Sequence, residues 1–166
     1  LGKSLFLEGR WPQAFSLFGS ERRGAPVFGF LRVDDGPISL KCQVRHPDHV
    51  VVFDLLLADE REILRELKPG GTVLVNTGRT LEHFENWKSC RIGLVDAGAI
   101  AGEEGLGYAF NTAILGAYVR LTDLVKLETL LAVVREMAPS KTAQNLRAVQ
   151  RAYEEVRMYA PGTGAA

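Results

Sequence analysis

The chain has 166 residues, of which 46% are hydrophobic and 24% charged, as in one globular domain. That composition excludes a disordered tail, a collagen-like fibre and a disulfide miniprotein. Lys plus Arg number 20 and Asp plus Glu number 20, so the net charge is zero. A neutral chain has no bulk field to draw in nucleic acid or an anionic membrane.

In chain order, Lys3 to Glu8 reads as a short helix closed by Gly9 and Pro12. Ser16 to Gly24 is polar and bounded by glycine, hence a loop. Ala25 to Val33 is apolar and aromatic and reads as a strand, with Pro26 tolerated only near its start or on an edge. Asp34-Asp35-Gly36-Pro37 is a turn, and Ile38 to Val44 is the expected returning strand. Val50-Val51-Val52-Phe53 is a continuous apolar run, which suits a strand buried on both faces. Asp54 ends that strand and is expected to cap the next helix.

Asp59 to Leu67 reads as a helix stopped by Pro69-Gly70-Gly71. Thr72 to Val75 and Arg91 to Val95 are two further short buried strands. Asp96 closes the second, and a helix of small residues starts near Ala97. Asn111 to Leu121 is apolar and helical, with Asn111 as its N-cap. Leu127, Leu130, Leu131 and Val134 follow helical spacing; so do Leu146, Val149, Tyr153 and Val156, with Ser140 as N-cap. Short buried strands alternating with helices imply an α/β, Rossmann-like fold. The expectation is one domain over residues 1–160, with a mainly parallel sheet flanked by helices, and a frayed tail over 161–166.

The chemistry that is missing narrows the function. Gly105-Leu106-Gly107 lacks the third glycine of a dinucleotide fingerprint. Gly19 and Gly24 have Walker A spacing, but Ala25-Pro26 stands where Lys-Ser/Thr is needed. His46 and His49 flank Pro47, which argues against a helical metal pair and for a surface turn. His83 reads as solvated. Cys42 and Cys90 belong to no C-x-x-C pair and read as reduced, largely buried thiols of a cytoplasmic protein. No apolar run approaches the length of a membrane span.

Two segments suit an anion. In Ser16-Leu17-Phe18-Gly19-Ser20-Glu21-Arg22-Arg23-Gly24, glycines let backbone N–H groups approach a ligand, and Ser16 and Ser20 add hydroxyl donors. Arg22 and Arg23 offer planar forks suited to phosphate, one of them free to meet a partner. A surface turn with an ion pair to Glu21 is the plainer reading. In Asn111-Thr112-Ala113-Ile114-Leu115-Gly116-Ala117, a helix start presents free N–H groups and the positive dipole end. Plain capping and tight packing is the alternative there.

Phe18-Gly19-Ser20-Glu21-Arg22-Arg23-Gly24-Ala25-Pro26-Val27 resembles the signature loop of the gamma subunit of 2-oxoacid:ferredoxin oxidoreductases, the pyruvate and 2-oxoisovalerate enzymes. Asn111 to Ala117 is similar to the same family's second landmark. Val50 to Asp54 and Gly70 to Thr77 match its strand-end segments in order. The resemblance spans Leu5 to about Tyr153.

It implies a subunit with no catalytic residue and no metal of its own. Thiamine diphosphate and iron–sulfur clusters would sit on partner alpha, beta and delta-type subunits, with ferredoxin as electron acceptor. The complex would convert a 2-oxoacid to acyl-coenzyme A and CO2. Coenzyme A would be held in part here, by Ser16, Phe18, Gly19, Ser20, Arg22, Arg23, Gly24, Asn111 and Thr112, with Phe18 or Phe110 against its adenine. The family's opening strand and G-x-G-G-Q-G turn are expected to precede Leu1. Relatives often carry proline where Ser16 and Ser20 stand. The other functions that fit are a purely structural assembly subunit and the beta subunit of an indolepyruvate-type oxidoreductase.

Overall fold

A computed structural model describes residues 1–18, 27–87 and 89–162. The chain divides into two compact units, Leu1–Arg45 and His46–Ala166.

The first unit holds helix α1 (Gly2–Leu7) and strands β1 (Trp11–Phe18) and β2 (Val27–Asp34). The two strands pair antiparallel, Trp11 opposite Asp34 and Phe18 opposite Val27. Phe15 and Phe30 stack across the pair at 5.3 Å, a cross-strand contact that fixes register. The returning strand expected at Ile38–Val44 is therefore wrong: the partner of β2 lies before it, not after it. Pro12 hides β1 in the sequence, yet a two-stranded ribbon has only edge strands, where proline is tolerated. Ser16, Leu17 and Phe18 likewise belong to β1 rather than to a loop. Residues 38–44 are tied to the hairpin by side chains instead: Gln13 donates to the Ile38 carbonyl and Arg32 to that of Gln43.

The second unit is an α/β sheet ordered β3 (His49–Val52), β4 (Thr72–Asn76), β5 (Arg91–Val95), β6 (Arg157–Tyr159). The first three strands run parallel and β6 closes the edge antiparallel. The mainly parallel sheet is as expected; β6, only three residues long, is not foretold by the sequence. Helices α2 (Glu60–Glu66), α3 (Ala97–Glu103), α4 (Ala113–Thr122), α5 (Leu127–Met137) and α6 (Thr142–Glu155) complete the unit.

Val73, Val75, Ile92 and Leu94 are buried in one core with Val52, Phe84, Trp87 and Cys90. Gly116 lets α4 lie directly on α6: a Cβ there would sit 2.0 Å from the Val149 carbonyl oxygen. Arg151 of α6 meets Glu103 and Glu104 at the end of α3 at 2.8 and 3.2 Å, and Arg147 reaches Glu104 at 2.7 Å.

Two expected caps are corrected. Asn111 does not cap α4. The Phe110 carbonyl already accepts from the Ile114 N–H, so Asn111 falls inside the first turn and Thr112 stands at the cap. Ser140 does not cap α6; Lys141 takes that place in the left-handed region (φ 50°), and the Ser140 carbonyl accepts from the Asn145 side chain. Cys42 is exposed, against the expectation of burial, whereas Cys90 is buried and donates to the Trp87 carbonyl.

Candidate functional site

The carboxyl ends of the parallel strands β3, β4 and β5 form one rim, where α/β sheets take their ligands. Asp54 follows β3 and its Oδ1 accepts the Leu56 N–H at 2.9 Å, starting a 3-10 turn over Leu55–Leu57. Asp54 thus does the capping its position suggested. Asp96 follows β5 and accepts the Ala99 N–H at 2.8 Å, fixing the start of α3.

Asn76, the last residue of β4, braces both neighbours. Its Nδ2 donates to the Phe53 carbonyl at 3.1 Å and its Oδ1 accepts from the Ala97 N–H at 2.9 Å. Gly78 leaves room for the Asp96 carboxylate, whose Oδ2 would lie 2.7 Å from a Cβ at that position. The Phe53 ring then meets Phe110 at 6.2 Å, which joins the end of β3 to the loop before α4.

Of the residues singled out in the sequence, Ser16 is exposed on β1 opposite Gly29, and Phe18 ends that strand opposite Val27. Gly19, Ser20, Arg22, Arg23 and Gly24 lie outside the described residues. Asn111 is exposed and Thr112 half-buried at the start of α4. Thr112 makes no side-chain cap hydrogen bond. Asn76, Gly78 and Phe53 build the rim, though the sequence marks none of them as a site residue; Phe53 and Asn76 figure there only as parts of strand-end segments. The signal for them was only partial: strand ends can be placed from residue types, but the partners of an Asn side chain come from tertiary contact.

His49 corrects another expectation. It is not in a surface turn but opens β3, half-buried, with Nδ1 2.9 Å from the Tyr118 hydroxyl of α4. Burial pushes the pKa of the Tyr118 hydroxyl up to about 12. Burial also lowers that of the His49 imidazole, with Asp48 opposing and Arg91 adding to the effect. His49 therefore takes up a proton more readily unfolded than folded. Its stabilising contribution is full above the ordinary histidine range and is lost as pH falls through and below about 6.5. Wild type is expected to lose more of its urea midpoint between pH 7.5 and 5.5 than His49→Gln. Equal losses would show that His49 carries none of the dependence.

Among the described residues, no group of three or more His, Cys, Asp or Glu side chains is placed to hold a metal ion. No helix among them is long and apolar enough to cross a membrane.

The family model described as pyruvate ferredoxin/flavodoxin oxidoreductase matches residues 1–155. The pyruvate/ketoisovalerate oxidoreductases common subunit gamma of Thermococcus litoralis is 42% identical, over 96% of this chain and 88% of its own length. The pyruvate synthase subunit PorC of Methanothermobacter marburgensis is 39% identical, over 95% and 87%. The crystal structure of pyruvate oxidoreductase subunit PORC from Thermotoga maritima superposes with a TM-score of 0.79 at 33% identity, covering 95% of this chain and 86% of that one.

Proposed function

From the chain's place in the pyruvate ferredoxin/flavodoxin oxidoreductase family, to which it belongs, we propose that it is the gamma subunit of a 2-oxoacid:ferredoxin oxidoreductase and helps bind coenzyme A. The observation that carries the subunit role is similarity to gamma-type subunits along nearly the whole chain. In this reading, partner alpha, beta and delta-type subunits hold thiamine diphosphate and the iron–sulfur clusters. They decarboxylate the 2-oxoacid and pass electrons to ferredoxin, in the cytoplasm.

This chain supplies binding rather than reaction chemistry. Arg22 and Arg23, beside Gly19 and Gly24, offer guanidinium forks and open backbone to the phosphates of coenzyme A. Ser16 and Ser20 offer hydroxyls, and Phe18 offers a ring for the adenine. At the start of α4, the exposed Asn111 amide and the Thr112 hydroxyl, which makes no side-chain cap, offer polar side chains to a ligand. The thiol end of coenzyme A leaves this chain to meet the acyl group elsewhere.

Calorimetric titration of coenzyme A tests the reading, with desulfo-coenzyme A as a thiol-free control. Both are expected to bind, more weakly as salt rises. Each charged phosphate contact is worth ~1.5–3 kcal/mol, so Arg22→Ala or Arg23→Ala should weaken binding about tenfold or more. Equal affinity in wild type and both variants would assign the phosphate contacts to other groups.

A further inference from the structure

We propose that the apolar patch beside the carboxyl rim of the sheet docks a partner subunit that presents an apolar centre ringed by Lys and Arg. The proposal rests on the reading of this chain as an oxidoreductase subunit.

The patch is built outward rather than left over. Leu55 packs against the core, and Asp54 caps the turn, so the next two leucines are turned away from the protein. Leu56 is 91% exposed and Leu57 54%. Phe53, one residue before the cap, is 46% exposed. Its ring contact with Phe110 joins the turn to the neighbouring loop, where Tyr108 is fully exposed. Exposed apolar side chains grouped in this way mark an interaction surface, whereas scattered ones do not.

Charge selects the occupant. Asp54, Asp59 and Glu60 flank the leucine turn in sequence, with Arg61 the one cation between Phe53 and Glu62, while Glu62 is paired with Arg65 at 3.9 Å, so the turn keeps an acidic excess. A second copy of this chain, docked about a two-fold axis, would set this acidic rim against itself. An anionic membrane surface would be repelled for the same reason. A different protein with basic side chains around an apolar centre satisfies both parts of the patch.

The test uses the complex assembled from full-length subunits. Leu56→Asp is expected to raise the dissociation constant of this chain from its partners about thirtyfold, as loss of a central anchor does. Glu60→Lys should weaken assembly less and flatten its salt dependence. Met137→Asp, on the exposed side of α5, should change nothing. The isolated Leu56→Asp chain should keep the wild-type unfolding midpoint; if it does not, Glu60→Lys decides.

Assembly of Leu56→Asp and Glu60→Lys at wild-type affinity would overturn the proposal while leaving the subunit reading intact. So would a self-dimer that Leu56→Asp disrupts while the other subunits stay bound. A wild-type chain that joins no oxidoreductase subunit would overturn both.

Discussion

Trp87→Ala is expected to cost ~3–5 kcal/mol of unfolding free energy, the range for removing a large aromatic from a core. Trp87 is 1% exposed and packs edge-on against Phe84, with ring centroids 5.8 Å apart. It ends a 3-10 segment, Leu81–Trp87, that carries the chain from β4 towards β5. With Phe84 it belongs to the core built on Val73, Val75, Ile92 and Leu94. Trp87→Phe should cost far less. The buried indole Nε1 has no hydrogen-bond partner among the described residues, so losing it strands nothing and removes an unsatisfied donor. Urea unfolding of both variants checks the pair. Equal destabilisation would mean that the indole nitrogen has a partner after all.

Gly116→Ala is expected to destabilise the chain by about 2 kcal/mol or more. The added Cβ would lie 2.0 Å from the Val149 carbonyl oxygen and 3.2 Å from the Tyr153 nitrogen. Both are helix backbone, so no side chain can swing aside, and α4 and α6 must part. Overpacking of this kind reaches ~3 kcal/mol. Alanine's better helix propensity returns only ~1 kcal/mol. The clash therefore wins. A variant as stable as wild type in thermal unfolding would show that the two helices are not held at this distance.

Local and tertiary causes divide what the sequence makes legible. The parallel strands are visible as short apolar runs: Val50 to Phe53, Thr72 to Val75 and Arg91 to Val95 all fall within a residue or two of their observed bounds, although β3, at the sheet edge, is half-buried rather than buried on both faces as expected. Asp54 caps the turn after it as expected, because capping is a local matter of one side chain and the next few N–H groups; Asp59, expected inside its helix, and Asp96, expected only to close its strand, prove to be caps as well. The caps expected at Asn111 and Ser140 are each one residue early, and the larger misses are non-local. Pro12 disguises β1, and only the partner strand β2 makes it a strand. β6 exists because β5 offers an edge, not because Arg157-Met158-Tyr159 prefers to be extended. Gly116 signals only that something comes close; that the neighbour is the backbone of α6 is a tertiary fact.

The rim shows the same division. Asp54 and Asp96 are placed by strand ends, but Asn76 becomes a brace only once Phe53 and Ala97 lie on either side of it. His49 resembles a residue of a surface turn because Pro47 precedes it, and its bond to Tyr118 spans 69 positions of sequence. The arginine loop is legible only from residue types and from a family likeness.

The central claim is that this chain anchors coenzyme A within an oxidoreductase complex. Its most direct test is calorimetric titration of coenzyme A into the assembled complex, comparing wild type with Arg22→Ala and Arg23→Ala. The predicted result is saturable binding that weakens about tenfold or more in at least one variant, with the complex still assembled. A complex that binds coenzyme A with the same affinity in all three forms would contradict the account and leave this chain as scaffold.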